Sequence, residues 1–132
     1  MILKASTPGE IEAAFTRLKE QRIGALAADS SALFAFQGAQ LANLAARHVV
    51  PAIYHVRATV DAGGLMSYGT NGTDAYRLVG SYAGRILKGE KPAELPVQQS
   101  TRFETVVNLK TAKALGLEVP TSTLLRADEV IE

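Results

Sequence analysis

Two short apolar runs constrain this chain more than any other feature. They are Gly24 to Ala28 (GALAA) and Ala52 to Val56 (AIYHV), each bordered by a helix-length amphipathic segment. Strands this apolar need cover on both faces. A strand–helix–strand–helix–strand succession with short joints implies a parallel sheet with right-handed crossovers. The expected fold class is α/β, a Rossmann-like parallel sheet flanked by helices. Open sheets of this kind bind ligands beyond the carboxyl ends of their strands. Here those ends are Asp29-Ser30-Ser31 and the region from Tyr54 to Arg57.

The helices are marked by their caps. Thr7-Pro8-Gly9-Glu10 reads as a capping box with proline at the first helical position, and Ile11, Ala14, Phe15 and Leu18 then fall on one face. The apolar run before it, MILKAS at residues 1–6, is expected as a strand. Asp29-Ser30-Ser31 can cap a second helix from about Ala32 to Arg47, which Pro51 stops. The best-marked stretch is Gly63 to Gly89. There a short apolar segment meets a polar turn, and a helix over 73–89 carries Ala75, Leu78, Val79, Tyr82, Ala83, Ile86 and Leu87 as one stripe. Gly89 and Pro92 form its stop. Glu90 to Gln99 is a polar connector and Thr101 to Leu109 a strand. Thr111 to Leu115 is a short helix ended by Gly116, Pro120 opens a last helical turn, and Asp128 to Glu132 returns as an edge strand.

Size and charge narrow the function classes. A chain of 132 residues, 47% hydrophobic and 20% charged with net charge +1, has the balance of one globular domain. No basic run or interleaved aromatic platform favours nucleic acid. The chain has no cysteine, which excludes a disulfide framework and thiol chemistry. His48 and His55 have no metal spacing, no phosphate-loop lysine or GxGxxG opens a helix, and GxSxG is absent. Neither catalysis, nor a metal, nor a cofactor has positive support. No signal peptide opens the chain as written, so these residues alone imply a cytoplasmic location.

The candidate ligand-binding residues are Asp29, Ser30, Tyr54, Tyr68, Asn71 and Asp74. Asp29 or Asp74 can take an ammonium group, and the tyrosines can stack on a planar solute. Turn N–H groups near Asn71 can take a carboxylate. Each has a plainer reading as well. Asp29 and Ser30 serve equally as a helix cap, Tyr54 and Tyr68 as rim residues of a core, and Thr70 to Asp74 as a solvated turn.

GGLMSYG, the helix end RILKGEKPAELPVQQ and the tail TRFETVVNLKTAKALGLEVPTSTLLRADEVIE together resemble the C-terminal portion of ABC-transporter solute-binding proteins. The resemblance is to the periplasmic or lipoprotein family whose better-understood members bind aromatic amino acids. It runs from about Pro8 to Glu132. It implies two Rossmann-like lobes closing on a small solute, an ABC permease as partner, and export to the periplasm. Residues 1–132 are expected as a single α/β domain, part of such a protein, in which the resemblance implies that residues 1 to about 62 and about 98 to 132 build most of one lobe. The 73–89 helix then belongs to a partner lobe or a partner chain. Its uncovered stripe leads to the expectation of a homodimer formed by exchange of equivalent segments. Two alternatives stand beside this reading. One is a receiver-like signalling module with Asp29 as phosphoacceptor and Lys110 nearby, which lacks the acidic pair that holds magnesium. The other is a small-molecule enzyme of unspecified type.

Overall fold

The computed structural model describes residues 1–98 and 102–132. The expected connector end at Gln99 and strand start at Thr101 lie outside the described residues. The described chain divides into two compact units, residues 1–69 with 104–132, and residues 70–103.

Unit 1 opens with α1 (Pro8–Glu20), β1 (Leu26–Ala27), α2 (Ala32–Phe36), α3 (Gly38–His48), β2 (Ala52–Tyr54) and α4 (Arg57–Asp61). Strands β3 (Met66–Thr70) and β4 (Phe103–Asn108) follow in the sheet, and α6 (Leu109–Ala114), α7 (Thr121–Leu124) and β5 (Glu129–Ile131) complete the order. The five strands lie side by side as β1-β2-β3-β4-β5. β1, β2 and β3 pair in parallel, and so do β4 and β5. Asn108 N–H donates to Leu65 C=O, and Asn71 N–H donates to Arg102 C=O. One partner's number falls as the other's rises, so β4 runs opposite to β3.

The core forms where α1 and α3 close over β2. Ile11, Phe15 and Leu18 meet Leu41, Leu44 and Ala45, with Ala52 and Tyr54 beneath them. The α1 cap departs slightly from the expected box. Thr7 Oγ1 accepts the Glu10 N–H at 3.2 Å, while the Glu10 carboxylate reaches the N–H of Ser6, not that of Thr7. His48 ends α3 and packs on Phe15, ring centroids 5.8 Å apart.

Two expectations are corrected. Residues 1–6 form no strand, although Leu3 and Ala5 pack on the core. Alternate side chains do turn inward, but a strand needs a ladder partner, and none of the described residues supplies one. The single helix expected over 32–47 is two, broken at Gln37. Gly38 presses so closely on Thr59 that an added Cβ would sit 2.6 Å from Thr59 Oγ1, so α3 starts where that approach allows. Helix α4 carried no expectation; its five residues are too few for a periodic signal.

Unit 2 holds α5 (Gly72–Leu87) and a 3-10 turn at Pro92–Glu94. Asn71 caps α5, its side chain accepting the Asp74 N–H at 3.0 Å. Gly89 closes it at φ +101°. Tyr82 hydroxyl donates to Pro96 C=O, and Arg85 pairs with Glu90 at 2.6 Å, fastening the connector to the helix. No residue of α5 is buried.

Val49 ends α3 in the left-handed region at φ 54°, with its side chain 63% exposed. A β-branched residue is strained there, at roughly 1–2 kcal/mol. Asparagine visits this region readily. Val49→Asn is expected to raise unfolding free energy by about 1 kcal/mol, read from a denaturant midpoint that moves without a change in slope.

Candidate functional site

Parallel pairing of β1, β2 and β3 brings their carboxyl ends to one edge of unit 1. β1 delivers Asp29 and Ser30 there, β2 delivers His55 to Arg57, and β3 delivers Tyr68. Tyr54 pairs with Ser67 in register, so the next step sets His55 opposite Tyr68. This approach depends on Gly69, where an added Cβ would fall 2.0 Å from the His55 carbonyl oxygen. No side chain larger than hydrogen fits without moving one of the two strands.

Asp29 and Ser30 are both exposed, and the Asp29 carboxylate accepts the Ser30 N–H at 2.7 Å. The cap of α2 is Ser31, whose Oγ accepts the Phe34 N–H at 3.1 Å. Capping therefore leaves the outer part of Asp29 facing solvent. Tyr68 is 56% exposed.

Tyr54 stands elsewhere. It is 3% exposed and belongs to the core cluster, with Gly64 against its ring. Its face is taken by protein, so it does not stack on a solute at the rim. The alternation of strand side chains explains this: Ala52 and Tyr54 share the inward face, a parity that a uniformly apolar run does not display. Asn71 and Asp74 lie in unit 2. Asn71 is occupied as the α5 cap, and the Asp74 carboxylate pairs with Arg77 at 3.0 Å and Arg102 at 3.2 Å.

One feature of the edge escaped the list of candidate residues. Arg57, directly after β2, forks onto the Glu129 carboxylate at 2.6 and 2.8 Å and also approaches Asp61 at 3.5 Å. The hydrogen bond from Arg57 holds the Glu129 carboxyl below the usual range, and Glu129 in turn raises the Arg57 guanidinium. A charged residue ending an apolar strand was the available signal for Arg57. Glu129, 72 positions away, carried none. Among the described residues no group of three or more His, Asp or Glu can hold a metal ion.

The Tyr54 hydroxyl has no hydrogen-bond partner among the described residues, and burial pushes its ionisation up to about 12 from the ordinary 10.0. The folded state thus keeps a proton that the unfolded chain releases first. That contribution is whole below pH 10 and is lost as pH rises towards 12, by up to about 1.4 kcal/mol per pH unit. Tyr54→Phe is expected to flatten this alkaline limb and to change stability at pH 7 by less than about 1 kcal/mol. Denaturant titrations at neutral and alkaline pH check it.

Comparison with known proteins places this architecture. A family model for ABC transporter substrate binding proteins matches residues 2–131. No curated protein matches the chain. Among solved structures, an ABC domain from Streptococcus pneumoniae in complex with L-Trp is 26% identical, with a TM-score of 0.85 over 98% of this chain and 44% of its own. A conserved domain protein from Vibrio cholerae shares 22% identity and a TM-score of 0.84, over 96% of this chain and 42% of its own. The ligand-free, open structure of a Clostridium difficile substrate binding protein with adhesive properties is 26% identical, with a TM-score of 0.62 and coverage of 96% and 42%. The chain thus spans less than half the length of these relatives. With a family match across nearly every residue and a sheet of the same kind, this chain belongs to the ABC transporter substrate-binding protein family.

Proposed function

We propose that these residues form a solute-binding part of an ABC-type transport system, holding a small amino-acid-like or aromatic solute without changing it chemically. The observation that supports the reading is the edge of unit 1, to which the parallel strands β1, β2 and β3 bring their carboxyl ends, β1 leading to Asp29 and Ser30 and β3 carrying Tyr68. Asp29 takes an ammonium group, Ser30 offers a hydroxyl, and Tyr68 lies against a planar face. The L-Trp complex of the pneumococcal relative supports an aromatic amino acid as the class. Asn71 and Asp74 remain separate candidates within unit 2. An ABC permease and a periplasmic setting belong to the same proposal. Among the described residues no helix is long and apolar enough to cross a membrane.

The test is calorimetry and thermal shift with L-Trp, L-Phe, L-Tyr and a panel of aliphatic amino acids. A ligand that binds only the folded state raises stability by about 2.7 kcal/mol at a hundredfold excess over Kd. Binding is expected to be weak, since less than half of the relatives' length is represented. Asp29→Ala and Tyr68→Ala are each expected to weaken it about five- to tenfold. Unchanged affinity in both variants would remove this site.

The uncovered stripe of α5 supports a homodimer. Val79, Ile86 and Leu87 are 64%, 41% and 87% exposed, and an apolar stripe of this kind on a soluble protein marks an interface. Exchange of equivalent segments between two copies covers it at low cost in new contacts. Sedimentation at micromolar concentration is expected to give twice the chain mass, and Leu78→Asp or Ile86→Asp to give dissociation or unfolding. A monomer in which α5 is protected from hydrogen exchange sinks the dimer.

A further inference from the structure

Gly72 opens α5, yet neither space nor backbone conformation asks for glycine there. A Cβ added at this position meets nothing within 4 Å, and Gly72 is not among the glycines held at positive φ. What the missing side chain leaves is an unshielded backbone nitrogen directly after Asn71. The chain has two other asparagines, Asn43 and Asn108, and a leucine follows each. Only at Asn71 does a bare amide nitrogen stand next to a side-chain amide. The reach is short, because a bond from the Gly72 nitrogen to Asn71 Cγ closes a five-membered ring.

In the folded helix that ring does not close. Asn71 sits at φ −66°, ψ 107°, which turns the Gly72 nitrogen away from the Asn71 side chain. Asn71 Oδ1 accepts the Asp74 N–H at 3.0 Å, and the Asn71 N–H donates to the Arg102 carbonyl at 3.0 Å. Closure needs ψ to rotate, and that rotation breaks the cap and the first turn together.

Little opposes such an opening. No residue of α5 is buried. Gly80 and Gly84, where an added Cβ again meets nothing within 4 Å, weaken the helix interior without any packing gain. A helix held by local bonds alone opens at far lower free energy than a packed core. Asn108 supplies the contrast. It caps α6 in the same way, accepting the Thr111 N–H at 3.0 Å, but it is 7% exposed and Leu109 follows it.

We propose that Asn71 is a site of spontaneous chemical modification, at which its side-chain amide is lost through ring closure with Gly72, and that unwinding of the first turn of α5 gates the reaction. The Gly72 nitrogen attacks Asn71 Cγ and forms the new N–Cγ bond. The Cγ–Nδ2 bond breaks, and Nδ2 leaves as ammonia with the proton that the Gly72 amide gives up. Water then adds to either carbonyl of the succinimide and opens the ring, with no change of oxidation state. One product carries aspartate at position 71, whose carboxylate still caps the helix and suits its N-terminus. The other runs the main chain through Cβ and Cγ, which lengthens it by a methylene group and takes the capping group out of place. The site stands apart from the solute edge and holds whether or not the solute reading does.

The test incubates the whole chain at mildly alkaline pH, in native buffer and in urea. Peptide mass mapping follows amide loss at each asparagine, and isoaspartyl-specific methylation detects the lengthened product. In native buffer Asn71 is expected to lose its amide at least tenfold faster than the exposed Asn43 or the buried Asn108, with both products at position 71. Urea is expected to speed the loss at Asn71 further. Gly80→Ala combined with Gly84→Ala leaves the Asn71–Gly72 pair untouched and is expected to slow the loss about tenfold by firming α5. Gly72→Ala is expected to slow it in native buffer and urea alike. Amide loss at Asn71 no faster than at Asn43 overturns the site. A rate equal in native buffer and urea, or unchanged by the two helix alanines, overturns the gate and the proposal with it. Should the double alanine variant fail to fold, the urea comparison decides.

Discussion

Strand β2 gives both of its edges to neighbouring strands and its Ala52–Tyr54 face to helices α1 and α3, so its backbone and side chains leave water together. Phe15, Ile11 and Leu18 from α1 meet Leu41 and Leu44 from α3 over it, each no more than 4% exposed. Large side chains buried to this extent contribute on the order of 1.5–3 kcal/mol each. The helices cannot shift along β2 without uncovering them. The positions of β1 and β3, and with them every residue carried to the sheet edge, follow from that one packed strand.

Two glycines let the chain approach β2 closely enough for this to work. At Gly64 the backbone passes the Tyr54 ring and the Thr59 carbonyl, and at Gly69 it passes the His55 carbonyl. A methyl group at either position would collide with atoms that have no room to move. β3 therefore lies tight against β2 and Tyr68 arrives beside His55. Across the same edge, the Arg57–Glu129 fork ties β5 to the residue that follows β2. Its geometry is good, but both partners are well exposed, so it orients the edge more than it stabilises the fold.

Unit 2 is built on another principle. With no residue of α5 buried, its local order comes from polar fastenings: the Asn71 cap, Asp74 between two arginines, Arg85 on Glu90 and the Tyr82 hydroxyl on the Pro96 carbonyl. Fastenings of this kind fix a helix end and a connector without supplying a core.

What could be read from the residues alone was local. The Thr7 cap and the Ile11–Leu18 spacing specify α1, the apolar runs specify β1 and β2, and the stripe from Ala75 to Leu87 specifies α5, because period and capping are properties of neighbouring residues. That Asp29 and Ser30 follow one strand and Tyr68 lies on another was legible for a related reason, since the end of a strand is marked in sequence and parallel topology makes such ends an edge. Only the tertiary structure decided the rest. Whether Tyr54 faces core or solvent depends on strand parity, which a run of apolar residues hides. The partner of Arg57 lies 72 residues away, and no local pattern specifies a contact that distant. Residues 1–6 have the alternation of a strand but not its hydrogen bonds, because a strand is completed by a neighbour and not by its own side chains.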